Sequence, residues 1–71
     1  MYLSTFETAE LKKQLAEKHD LTLHMHDACG AQYFSLGKEA DKEARELIVS
    51  FIEALGGKVT FTEGGKAFAV K

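Results

Sequence analysis

The sequence contains no proline and no tryptophan, only one cysteine, and no long uninterrupted apolar run. A chain without proline in which 45% of residues are hydrophobic has the composition of an ordered domain, not of a flexible linker. One cysteine cannot form an internal disulfide, which excludes the framework of a small secreted protein. No apolar stretch approaches the ~20 residues of a membrane span.

The chain also lacks an excess of positive charge. Nine lysines and arginines are outnumbered by eleven acidic residues, which gives a net charge of −2 and a pI near 5.9. Nucleic-acid and membrane-surface binders usually carry a basic field, so neither partner is expected. The charges between Glu7 and Glu17 leave no room for the apolar region of a secretion signal. We therefore expect a cytoplasmic protein, and the length of 71 residues predicts a single domain over residues 1–71.

The N-terminal part of the chain predicts a short amphipathic helix over residues 5–18. Ser4 and Glu7 have the spacing of a capping box, in which each side chain bonds the backbone amide of the other residue. Leu11 and Leu15 follow four residues apart and share one face of the helix. This apolar stripe is narrow, so the helix covers only part of a core.

Residues 21–36 change to the two-residue period of strands and predict an antiparallel hairpin. A turn about Ala28-Cys29 places apolar residues opposite one another on one face and polar residues on the reverse. The expected pairs are Leu21–Leu36, Leu23–Phe34 and Met25–Gln32 on the apolar face, with Thr22–Ser35, His24–Tyr33 and His26–Ala31 on the reverse. Gln32, as a polar residue on the apolar face, requires a hydrogen-bond partner or an edge position.

A second helix is predicted over residues 38–55, and it has the broadest apolar stripe of the chain. The stripe consists of Ala44, Leu47, Ile48, Phe51, Ile52 and Leu55. On its other face, Asp41 and Arg45 have the four-residue spacing of an ion pair.

Residues 58–71 predict a second hairpin. Gly64-Gly65 has the composition of a two-residue primed turn. A turn there places Phe61 opposite Phe68 and Val59 opposite Val70. These pairs form an apolar face like that of the first hairpin.

The order α-β-β-α-β-β predicts an α+β fold, a two-layer sandwich in which two helices cover one face of a four-stranded, antiparallel-rich sheet. Both halves read as helix followed by hairpin, which is consistent with an internal αββ duplication over about 5–36 and 38–71. The other sheet face then lacks a cover. It would consist of Thr22, His24, His26, Ala31, Tyr33, Ser35, Thr60, Thr62, Ala67 and Ala69.

The first hairpin concentrates the residues that could carry chemistry. His24 and His26 project side by side from one strand, and Cys29 follows in the turn. Two imidazoles and a thiolate are zinc ligands, and Asp27 could orient them from behind. A thiol activated by His26 is the other chemical possibility. The structural alternative is that Cys29 is a small turn residue and His24 packs on Tyr33 across the strands.

The stretch Asp27-Ala28-Cys29, followed by Gly30-Ala31-Gln32-Tyr33-Phe34, resembles a group of very small bacterial proteins. That group is named for an Arg-Asp-Ala-Cys motif and is of unknown function. Here His26 stands where the motif has arginine. The resemblance implies a bacterial cytoplasmic protein and directs attention to Asp27 and Cys29, but it implies no activity, substrate or partner.

Two functions follow as hypotheses. The first is a non-enzymatic binding module, without catalytic residues or cofactor, that meets itself or another protein through an uncovered sheet face or a strand edge. Its binding residues would be His24, His26, Tyr33, Thr60 and Thr62. The alternative is a metal-binding site, with zinc on His24, His26 and Cys29, or a thiol-based site in the same hairpin.

Overall fold

Two helices pack against one face of a four-stranded antiparallel sheet, as the sequence predicts. The computed structural model describes residues 3–28 and 31–71. In chain order the elements are α1 (Thr5–His19), β1 (His24–Ala28), β2 (Ala31–Ser35), α2 (Lys42–Ala54), β3 (Val59–Thr62) and β4 (Ala67–Val70), with a tight turn at Glu63–Gly65 between β3 and β4. The strand order is β1-β2-β4-β3, so the two αββ units meet through β2 and β4.

The core lies between the helices and the sheet. Phe34 of β2 is directly opposite Phe68 of β4, and their rings stack with centroids 5.0 Å apart. Leu11 and Leu15 of α1 pack onto this layer, as their spacing predicts. Apolar residues from α2 complete the core: Ala44, Ile48 and Ile52.

The predicted capping box at the start of α1 is confirmed. The Glu7 amide donates to Ser4 Oγ at 3.0 Å, and the Ser4 amide donates to Glu7 Oε1 at 2.9 Å. These bonds satisfy two of the backbone donors that a helix N-terminus leaves free.

The second helix begins later than predicted, at Lys42 and not at residue 38. Asp41 has an extended backbone, and its carboxylate accepts a hydrogen bond from the Ala44 amide at 2.8 Å. It therefore serves as the N-cap of α2. The predicted ion pair with Arg45 is wrong, because the Arg45 guanidinium bonds the Ala40 carbonyl and lies 3.5 Å from Glu39.

The predicted register of the first hairpin is also wrong, by two residues. Met25 lies opposite Phe34, His26 opposite Tyr33, and His24 opposite Ser35. Ala28 pairs with Ala31, so the connection is two residues long where the predicted pairing left four. Because the shift is even, each side chain keeps its predicted face.

The second hairpin has the predicted register, with Val59 opposite Val70 and Phe61 opposite Phe68. Gly64 and Gly65 have φ of 68° and 95°, the positive values that a primed turn requires at both central residues. The Lys66 amide closes this turn on the Glu63 carbonyl at 3.3 Å.

No helix in the described part of the chain combines the length and the apolarity that crossing a bilayer would require.

Candidate functional site

The sheet face turned away from the helices is uncovered, and we call it the open face. Its described residues are His24, His26, Tyr33, Ser35, Thr60, Thr62, Ala67 and Ala69. Leu23, just before β1, is only 3% exposed, whereas His24 is exposed. The alternation of side chains along the strand therefore directs to the open face the residues that the sequence predicts there.

All five predicted binding residues lie on this face. His24, His26, Thr60 and Thr62 are exposed, and Tyr33 is half-buried. Thr22 precedes β1 and is exposed, but it is not part of the sheet.

His26 and Tyr33 form the centre of the open face. They are directly opposite on β1 and β2, with ring centroids 5.7 Å apart and ring planes at 49°. The sequence predicts His24 as the aromatic partner of Tyr33, but the shifted register gives this place to His26. His26 Nε2 also lies 3.1 Å from Ser35 Oγ, which holds the imidazole against β2.

Tyr33 reaches across the sheet to the other hairpin. Its hydroxyl donates to Glu63 Oε2 at 3.0 Å. The side chain must cross β4 to reach that turn, and the β4 residues on this face are the small Ala67 and Ala69. The hydrogen bond to the Glu63 carboxylate raises the pKa of Tyr33, with desolvation adding to the rise and a hydrogen bond with Thr62 opposing it.

One end of the open face is basic. Lys58 and Lys71 exchange both backbone hydrogen bonds at 2.9 Å, so they continue the β3–β4 ladder by one pair. Strand alternation assigns both lysines to the side of Thr60 and Ala69. The open face is therefore uncharged in its middle, with two lysines at one end and Glu63 at the other.

Sequence reasoning missed three of these participants: Ser35 as the partner of His26, Glu63 as the partner of Tyr33, and the paired lysines. The lysines could have been found, because the turn at Gly64-Gly65 already pairs Lys58 with Lys71. The bond between Tyr33 and Glu63 depends on β2 lying next to β4, which no local pattern indicates.

The predicted zinc ligands are only partly placed. His24 and His26 share the open face, while Cys29 lies outside the described residues. The side chain of Asp27 also lies outside the described part, and the side chains that are described contain no group of three or more potential metal ligands. His19 belongs to the helix layer, where its Nδ1 is 4.0 Å from Asp41 Oδ1. The two imidazoles alone provide fewer ligands than the three or four of protein zinc sites.

Comparison of the chain with protein-family models, with curated proteins and with solved structures finds no match. The resemblance of the first hairpin to the Arg-Asp-Ala-Cys proteins stays a prediction.

Proposed function

We propose that the protein is a small non-enzymatic binding module and that a partner protein contacts its open face. The observation that carries this proposal is an uncovered sheet face whose middle consists of eight strand residues without a charged side chain. The solvated face of an antiparallel sheet usually carries polar side chains, including charged ones. Interface centres are instead depleted of charge and enriched in tyrosine, which Tyr33 supplies here.

The lysine pair indicates the chemistry of the partner. Like charges directly opposite each other on two strands destabilise a sheet. An acidic side chain of the partner, placed between Lys58 and Lys71, would offset this repulsion. We therefore expect a partner surface that is mostly uncharged, with a carboxylate at the lysine end.

The size of the open face sets the strength of the contact. Four strands about 4.8 Å apart and about 15 Å long give a face of roughly 300 Å². Stable complexes bury about 800 Å² on each partner, so contact over this face alone belongs to the weak and transient class.

Site-specific photo-crosslinking in cells identifies the partner. A benzoylphenylalanine replacing Tyr33 should form one dominant adduct with another protein, whereas the same group replacing Lys13, exposed on α1, should not. The same adduct from both positions, no adduct, or an adduct only with the chain itself would overturn the proposal.

The identified partner is then purified and titrated. Lys58→Glu should weaken its binding about tenfold, because attraction becomes repulsion at the lysine end. Lys13→Glu makes the same change of charge on the helix layer and should leave the affinity unchanged. Equal effects of the two variants would remove the open face as the contact surface.

A further inference from the structure

The outer edge of β3 has unpaired backbone groups. In an antiparallel ladder, hydrogen-bonded and non-bonded pairs alternate. Since Lys58 and Lys71 are a bonded pair, Thr60 and Thr62 are the next residues that bond β4. The amides and carbonyls of Val59 and Phe61 therefore point away from the sheet, and no described residue bonds them through its backbone.

The four residues of β3 lack the charged side chains and prolines that usually protect an edge strand. Edge strands avoid pairing with other chains through charged side chains, prolines or bulges. The β3 sequence is Val-Thr-Phe-Thr, with no charge and no proline, and it pairs with β4 without a bulge. Its shortness is the only such device present among its four residues.

A groove of about 510 Å³ runs along α2 on the same side. Arg45 lines the groove, and its guanidinium lies 5.7 Å from the ring centroid of Phe61. This contact places the groove beside the free edge of β3. The half-buried Val49 is the apolar residue in the middle of this flank of α2.

The spacing of the layers shows what fits there. In this fold two helices cover four strands, so each helix covers a width of about two strands, or ~10 Å. Packed helices lie 8–10 Å apart, and α1 and α2 contact each other in this fold. If a second hairpin paired with the free edge of β3, the helix that covers that hairpin would therefore lie in the groove beside α2.

We infer that a second copy of this chain occupies this edge, with the two β3 strands antiparallel about a twofold axis normal to the sheet. With the axis at Thr60, Val59 lies opposite Phe61 of the second copy, and four backbone hydrogen bonds form. The α2 helices then run antiparallel and cross near Val49. In that arrangement Arg45 approaches Glu53 of the second copy, and the twofold axis repeats this pair of opposite charges.

The inference is independent of the proposed function but has a consequence for it. The twofold axis keeps both open faces on the same side of one eight-stranded sheet. The continuous face then measures roughly 600 Å², closer to what a stable complex buries.

Sedimentation velocity and amide exchange of the purified full chain over a wide concentration range test this inference. A monomer–dimer equilibrium is expected, and the amides of Val59 and Phe61 should become protected as the dimer forms. A chain that stays monomeric at every concentration, or protection that rises at β1 instead, overturns the inference.

Two variants locate the interface. Glu53→Lys should raise the dimer dissociation constant about tenfold, since two charge pairs become repulsive. Glu17→Lys, the same change at an exposed position of α1, should not. Val59→Pro removes one outward amide, which edge strands tolerate, and should abolish the dimer while circular dichroism shows an unchanged fold. A dimer that survives Val59→Pro refutes the pairing, whereas Tyr33→Glu should disturb partner binding and leave the dimer intact.

Discussion

The side-chain amide of Gln32 forms two hydrogen bonds with the backbone of Leu3. Its Oε1 accepts from the Leu3 amide, and its Nε2 donates to the Leu3 carbonyl at 3.0 Å. Gln32 is 3% exposed and is the buried polar residue of the described core. A side chain of β2 thus pairs with the segment before α1 much as a neighbouring strand would.

Replacing this amide should destabilise the fold. Gln32→Met keeps a similar volume but leaves the Leu3 amide and carbonyl without their partner, at a cost of about 1–3 kcal/mol. Urea unfolding followed by circular dichroism measures the loss. The control is Gln14→Met, which removes an exposed bond to Glu10 and should change stability by less than about 0.5 kcal/mol. Equal losses would show that the buried pairing contributes nothing.

The capping box of α1 should be measurable in the same way. Ser4→Ala removes the acceptor of the Glu7 amide and should cost about 0.5–2 kcal/mol. Thr5→Ala, at the next exposed position, lacks this bond and is the control. Thermal unfolding should separate the two variants; identical midpoints would show that the cap does not stabilise the folded chain.

Gly65 and Arg45 should be energetically coupled. A Cβ added at Gly65, where φ is 95°, would overlap the Arg45 guanidinium. That overlap would disturb the Arg45 bond to the Gly64 carbonyl, which measures 3.3 Å. Gly37 also has a positive φ, of 76°, but an added Cβ there meets nothing within 4 Å.

A double-mutant cycle tests this coupling. Gly37→Ala carries backbone strain alone, about 1–2 kcal/mol, and Gly65→Ala should cost more because the clash adds to the strain. In an Arg45→Ala background, the cost of Gly65→Ala should fall toward that of Gly37→Ala. An unchanged cost would place the penalty in the backbone and not in the contact with Arg45.

Side-chain chemistry predicts the faces of the strands but not their register. Leu23 and Phe34 are apolar and His24 is polar, so burial decides which way each one points. A register shift of two residues conserves that pattern of faces. The sequence favoured the wrong register because it pairs two apolar residues, Leu23 and Phe34. The missing information was the length of the connection, which is two residues and not four.

The same distinction between face and pairing applies to the candidate site. That His26, Tyr33 and Thr60 share one face follows from alternation and was predicted. The contact of Tyr33 with Glu63 joins residues from different hairpins and requires the strand order β1-β2-β4-β3. Gln32 lies between these cases, because its need for a partner was predicted from its position but the identity of that partner was not.

The pKa of Tyr33 provides a direct probe of the contact with Glu63. Chiefly because the Tyr33 hydroxyl donates to the carboxylate, the pKa of Tyr33 is raised from 10.0 in the folded chain. The bond therefore stabilises the fold fully below the unfolded pKa near 10, and this stabilisation is lost as the pH rises through the folded pKa. Glu63→Asn removes the long carboxylate, and asparagine tolerates the φ of 53° at this position.

Ultraviolet titration of the phenol measures this effect. In a Tyr2→Phe background only Tyr33 titrates, because the chain has two tyrosines. Its midpoint should lie above 10.0 and should fall in the Glu63→Asn variant. Glu17→Gln removes an equal charge from an exposed position of α1 and should leave the midpoint unchanged. A midpoint that shifts with Glu17 and not with Glu63 would mean that overall charge, and not the hydrogen bond across β4, controls the pKa of the phenol.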